Sequence, residues 1–558
     1  MMITVSKKLL DAARGLVPAD LVLHNSRIFN AFTCTWDEGS LAIAGGRILG
    51  IGEYQGDVER DLAGRYIVPG LIDAHVHIES SLLAPKEYAR LVAQHGTTTV
   101  IADPHEIANV AGTVGLEFML AERNGALIDI QYMLPSCVPA TPLDVGGATL
   151  DACTLSRFLH REGVIGLGEM MNFPGVLAGD EEIAKKLGLF RIRDGHAPFI
   201  TGKDLNAYIL AGPDSDHECT NRAEAEEKLK KGMYIFIREG STEHNIAELI
   251  PVVTPANVSR CCFATDDCHA DLLVQDGHID RCIRKAIRCG LPPELAIRMA
   301  TLSAAERFGL SDRGALAPGR RADLCIIDDP QTFVVQEVLR SGRPISYGQP
   351  TAPLPLPTKV QCVPPSENEI RIAGKGMARV IGLVPHQILT DSLQYEVADP
   401  NTPDFSRDIQ KVVVCNRYGK TKRGLGLVHG FGFRKGAIAC SISHDAHNIL
   451  ATGTSDEEIC SAIAAVVASG GAMAVVSGGA TTVLPLDCAG LMSTLPYEEV
   501  ARRLGQLKEA TGRMGGIDDP FMYLSFLALT VIPSLRITDR GVFDAVGFRD
   551  VPLFTRDG

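Results

Sequence analysis

Short apolar runs recur through the first half of this chain, and polar residues gather where each run ends. Runs at 67–77, 97–104, 128–135, 163–169, 191–196, 213–217, 233–239 and 260–266 have strand length and strand composition. Stretches with helical spacing separate them, among them 106–124, 180–190, 221–232 and 276–289. Eight strands alternating with helices over residues 66–309 predict an α/β fold built on a (β/α)8 barrel. The runs at 191–196 and 213–217 are short and polar, so the count as a whole carries the prediction.

Shorter patterns flank this segment. Asp20–His24, Leu41–Ala44 and Arg47–Ile51 precede it as strands, and Arg321–Ile327 follows it. They predict one small β-sandwich-like domain assembled from residues 1–65 and 310–349. A proline-rich stretch, Pro350–Pro365, reads as an extended spacer. Beyond it, 365–558 reads as a third, α/β region, with a strand at Gly471–Val476 and a helix at 456–469 opened by a Ser455/Glu458 capping box. All eight predicted barrel strands precede the spacer, so the barrel is expected to fold without the third region.

Composition narrows the class. The 558 residues are 46% hydrophobic and 22% charged, which suits a multidomain globular protein. A net charge of −13 argues against nucleic-acid or anionic-membrane partners and for a soluble enzyme with a small neutral substrate. Met1–Leu16 has no long apolar core, and no later run approaches a membrane span. Fifteen cysteines with no CxxC spacing fit a reducing, cytoplasmic setting. The adjacent Cys261 and Cys262 should face opposite sides of a strand.

In a (β/α)8 barrel the chemistry lies at the C-terminal ends of the strands. The first strand ends in His75 and His77, whose i, i+2 spacing puts two imidazoles on one face as half of a divalent-metal site. The later ends carry Asp103-Pro104-His105-Glu106, Glu169, Asp194-Gly195-His196, Asp216-His217-Glu218, Arg238-Glu239-Gly240-Ser241 and Asp266-Asp267. Any one of these acids could simply cap a helix. Seven such ends on one rim point to a shared active site.

Several strings sharpen that reading. HVHIESS (75–81), ADPHEIANV (102–110), GEMMN (168–172), DGHAP (194–198), SDHE (215–218), REGS (238–241), ATDD (264–267) and SHDAHNI (443–449) resemble the adenine deaminase branch of the amidohydrolase superfamily. The resemblance implies metal ligands at His75, His77, Glu169, His196, His217 and Asp266, with Glu169 bridging a binuclear centre. Manganese or iron suits that donor set, and zinc is admissible. The implied reaction is hydrolytic deamination of adenine to hypoxanthine and ammonia, with a metal supplying the attacking hydroxide and Asp266 accepting the water proton. A purine-ring proton donor is also required, and Glu106 and Glu239 are both open to that role. His105 is expected beside them. Asp103, Arg238, Ser241, Asp267, His444 and His447 are expected to contact substrate, the last two if the third region closes over the barrel. A homo-oligomer, a dimer or larger, is expected. Phe199 after DGHAP and Cys268 after ATDD depart from the family pattern, which leaves a related aminopurine or a cyclic amide as the alternative substrate.

Overall fold

A computed structural model describes residues 6–141, 143–348, 352–356, 360–385 and 387–555. Eight short strands stand where the apolar runs lie: β1 (Leu71–Val76), β2 (Thr97–Ala102), β3 (Asp129–Leu134), β4 (Val164–Met170), β5 (Arg193–Gly195), β6 (Ser215–Asp216), β7 (Tyr234–Arg238) and β8 (Cys261–Ala264). β1 to β5 form one parallel sheet in sequential order, and β6 to β8 form a second. β1, β2 and β8 are buried at every residue because both faces are covered, as in parallel sheets generally.

Hydrogen bonds join the two sheets at both seams. At one, the Asp266 N–H donates to the His75 carbonyl (3.0 Å) and the His77 N–H to the Asp266 carbonyl (3.3 Å). Asp73 adds side-chain bonds there, accepting from the Thr265 N–H at 3.2 Å. At the other seam, the Asp214 N–H donates to the Arg193 carbonyl at 3.4 Å. Cys261 and Phe263 pack in one apolar cluster and Cys262 and Ala264 in another, so the adjacent cysteines do face opposite sides.

The run at 67–77 is two strands rather than one. Tyr66–Pro69 belongs to the flanking antiparallel sheet and Leu71–Val76 to the parallel one. The break falls at Gly70, where a Cβ would come within 2.3 Å of Thr98 Oγ1, so only a glycine lets the chain change sheets. That flanking sheet takes Ala19–Asn30, Thr35–Ala44, Arg47–Ile51 and Gly56–Asp61 from one side, and Leu324–Ile327, Val335–Arg340 and Arg343–Pro344 from the other.

The last region is an eight-stranded sheet with the helix Asp456–Ala468 packed against it, followed by a small three-stranded sheet. Ser455 caps that helix, accepting from the Glu458 N–H at 3.2 Å. Glu458 does not complete the expected box: its carboxylate accepts from the Gly436 and Gly478 N–H groups at 2.8 and 3.0 Å, tying two loops to the helix start. The expected spacer lies partly outside the described residues. Within it, the Leu354 N–H donates to Glu122 at 2.9 Å, which ties the chain to the end of the helix His105–Glu122 after β2.

This region does not stand apart from the two parallel sheets. One apolar cluster runs from Val76, Leu82 and Val92 to Phe431, Leu484 and Leu504. A second joins Cys137 and Met171 to Met522, Phe526 and Ile532. Polar ties reinforce the contact: Arg90 pairs with Glu498 at 2.5 Å, and Thr530 donates to Asp144 at 2.9 Å. The expectation that the barrel folds without this region therefore meets a shared core. No described helix is long and apolar enough to cross a membrane.

Candidate metal centre

Every one of the six expected ligands lies in one buried cluster at the C-terminal ends of the parallel strands. Glu169, at the end of β4, is at its centre and turns its two oxygens to different partners. Oε1 lies 3.2 Å from His77 Nε2, and Oε2 lies 2.7 Å from His196 Nδ1 and 3.2 Å from His217 Nε2. His75 Nε2 is 3.2 Å from His77 Nε2 and 3.5 Å from Asp266 Oδ1, which is itself 3.1 Å from His77 Nε2. The rings of His75 and His217 stack at 4.2 Å and connect the two halves.

The surroundings orient these donors. His77 Nδ1 meets the Asp103 carbonyl at 2.9 Å, which leaves Nε2 facing the cluster. Asp103 is fully buried and accepts from the Glu169 N–H at 2.9 Å. Its nearest role is thus to hold Glu169. Arg238 Nη1 lies 2.7 Å from Asp266 Oδ2 and 2.5 Å from Glu218 Oε1, so it too grips the ligand set. Burial alone would raise Glu169, but hydrogen bonds from His196, His217 and His77 outweigh it and hold the carboxyl well below the usual range.

Such a set, imidazole nitrogens converging on two carboxylates in a buried pocket, fits divalent transition metals. Two triads, His75–His77–Glu169 and Glu169–His196–His217, each bring one donor atom per residue within 4.8 Å of the others and share Glu169.

Two further acids behave differently. Glu106 is fully buried, its Oε1 accepts from Ser80 Oγ at 2.7 Å, and its Oε2 has no hydrogen-bond partner. Burial, with Glu79 and Asp267 nearby, pushes its carboxyl up to about 8. Asp267 is the other partner of the Ser80 hydroxyl. Glu239 turns instead to His244 (2.7 Å) and to Lys285. Burial would raise it, yet those two bonds hold it below the usual range. Ser241 accepts from the His269 N–H at 2.9 Å and links the loops after β7 and β8.

The segment 443–449 reaches this rim. Asp445 Oδ1 lies 3.5 Å from His105 Nε2, whose Nδ1 is 3.4 Å from Glu169 Oε1. His444 stacks on Phe526 at 4.6 Å, and His444, His447 and Glu106 bring one atom each within 4.8 Å. Next to the ligands, a cleft of about 370 Å3 is lined by Phe199, Glu218, Arg238 and Glu243 from the loops after the parallel strands and by Ile388 and Ile532 from the last region. Phe199 is exposed on its wall, whereas Cys268 is buried, 3.7 Å from Arg281.

Glu218, Ser80 and Asp445 stand out in the sequence only as members of SDHE, HVHIESS and SHDAHNI, with no individual role, because each one's partner lies on a different element.

Strand ends carrying this donor set define a metal-dependent hydrolase of the amidohydrolase type. A model of the Amidohydrolase family matches residues 66–345, and a model of the Adenine deaminase C-terminal domain matches residues 387–549. An adenine deaminase of Methanoregula boonei is 66% identical over 98% of each chain. One from Methanoculleus marisnigri is 60% identical over 91% of this chain and 98% of its own. Among solved structures, an N-acetyl-D-glucosamine-6-phosphate deacetylase from Mycobacterium smegmatis aligns with 58% of this chain and 100% of its own, at 21% identity and a TM-score of 0.47. The chain belongs to the adenine deaminase family.

Proposed function

We infer that this protein is a hydrolytic adenine deaminase, turning adenine and water into hypoxanthine and ammonia. The observation that carries the mechanism is the division of Glu169: one carboxylate serves two sets of histidines, as a bridge between two cations must. His75, His77, Glu169, His196, His217 and Asp266 would hold a binuclear centre, with manganese or iron suiting the imidazole–carboxylate set and zinc also admissible. The bonds at both seams support closure of β1 to β8 into a (β/α)8 barrel that presents these residues on one rim. The flanking sheet and the region after the spacer are then separate units of chain built around it.

The chemistry a divalent metal would supply, if held by these residues, is a water whose pKa is lowered towards neutrality. The protein's own residues supply the rest. Asp266 presents Oδ1 to the ligand histidines and accepts the proton of the attacking water, while Arg238 fixes its other oxygen. Glu106 keeps its proton near neutral pH and gives it to a purine ring nitrogen as C6 is attacked, which spares the dry pocket an uncompensated negative charge. Glu239, ionised by Lys285 and His244, is poorly suited to that task. Ser80 links Glu106 to Asp267 and holds the donor in place. His105, His444 and His447 close the pocket from the other side and exclude water. Loss of adenine absorbance with equimolar ammonia and hypoxanthine is the expected result. Adenine recovered unchanged from metal-loaded protein would refute the reading.

A further inference from the structure

Arg417 is 1% exposed, and its guanidinium has no carboxylate partner among the described residues. A buried cation without a counter-charge is costly unless its donors are all used. This one donates to backbone carbonyls: Nη1 to His447 at 3.2 Å and Ser441 at 3.4 Å, and Nη2 to Ala489 at 2.6 Å. Gly490 makes room for it, since a Cβ there would lie 2.5 Å from Nη2. The flanking atoms grip the same loop. The Arg417 N–H donates to Asn448 Oδ1 at 3.1 Å, and Tyr418 donates its hydroxyl to the Ala446 carbonyl at 2.7 Å. Two consecutive residues therefore hold 446, 447 and 448, three consecutive residues of the segment beside the metal ligands.

The consequence falls on one imidazole. His447 has a left-handed backbone, φ 49°, which the surroundings must impose. Its Nδ1 accepts from the Ser443 N–H at 3.3 Å, so in the neutral ring the proton sits on Nε2. Nε2 is buried and has no hydrogen-bond partner, as is Glu106 Oε2 nearby. Burial, then His444 and Arg417, push His447 well below the usual histidine range, which keeps it neutral. The result is a single oriented N–H donor, left free beside the residue that protonates the purine.

We propose that Arg417 is a positioning residue for the deamination: with Tyr418 it fixes His447 so that Nε2–H meets an acceptor nitrogen of the purine edge beside Glu106. This rests on the adenine deaminase reading. A lysine at 417 keeps the charge but not the planar fork that reaches several carbonyls at once.

The test measures kcat and KM for adenine with the metal-loaded full chain, for Arg417→Lys and Tyr418→Phe, each alone and combined with His447→Ala. Arg417→Lys should lower kcat/KM by about 10- to 100-fold, the scale of a small misplacement of a contact group, with metal content unchanged. Tyr418→Phe, which loses one hydroxyl and keeps the test open if Arg417→Lys does not fold, should lower it several-fold. In the His447→Ala background either change should alter kcat/KM by less than about twofold, because the path through His447 is already gone. Wild-type kcat/KM in both single variants, or the same loss with and without His447, would overturn the inference. Those outcomes leave the function standing, because wild-type protein is active in them. Wild-type protein without adenine turnover would overturn both.

Discussion

Arg238 holds Asp266 by the oxygen that faces away from the histidines, with Nη1 2.7 Å from Oδ2 while Oδ1 stays 3.1 Å from His77 Nε2. The same guanidinium spans to Glu218, 2.5 Å away, so one buried cation fixes the orientation of two acids beside the ligand histidines. Arg238→Met should therefore loosen Asp266 and leave Glu218 with only His217 and His196, at 3.5 and 3.6 Å. Turnover should fall by about 100-fold or more in steady-state assays of the metal-loaded variant. Wild-type turnover would show that the aspartate is held by its other contacts.

The two aspartates after β8 should differ. Asp266 meets His75, His77 and Arg238, whereas Asp267 meets the Ser80 hydroxyl. Asp266→Asn should remove turnover by orders of magnitude and weaken metal retention. Asp267→Asn should keep its metals and lose less. Metal analysis and kcat on the same preparations decide it, and the reverse order would reassign the two.

Glu106 and Glu239 were indistinguishable as letters in the sequence, and their surroundings separate them. Glu106→Gln should lower kcat by about 100- to 10,000-fold, the usual worth of a general acid, with metal content intact. Glu239→Gln breaks contacts with Lys285 and His244 on the rim and should change kcat by only a few-fold. Equal losses in the two variants would contradict the assignment of the donor.

Far from the chemistry, Asp129 should set part of the acid stability. Burial would raise its carboxyl, but Arg313, Arg321 and Arg340 pull it down to about 2 from 3.8. A carboxyl depressed in the folded state stabilises above the unfolded-state pKa, and that stability is lost as pH falls from about 4 through about 2, roughly 2 kcal/mol in all. Urea unfolding between pH 2 and 6 should show this slope, and Asp129→Asn should flatten it. An unchanged slope would place the acid-sensitive group elsewhere.

Much of the arrangement was legible because parallel strands covered on both faces must be apolar runs, and because ligands cluster at their ends. The run at 233–239 therefore announces itself, as do His75 and His77. What local pattern could not carry is contact between distant segments. The change of sheet at Gly70 depends on Thr98, Glu218 gains its meaning from Arg238, and Glu458 serves two loops as well as the Ser455 hydroxyl. The proline-rich spacer suggested independence for the last region, but Phe431 and Leu484 share a core with Val92 and Leu116. A chain ended at 365 would expose that core, so it should be recovered as aggregate or melt far below the full chain.

Adenine deamination by this protein should depend on two cations that Glu169 and its histidines would hold. Titrating metal-depleted protein with manganese or iron, and following bound metal and ammonia release from adenine in the same samples, tests it directly. Turnover should rise to its maximum as bound metal reaches about two per chain, and Glu169→Gln should bind less metal and stay inactive at any concentration. Full adenine turnover by Glu169→Gln, or by protein stripped of metal, would contradict it.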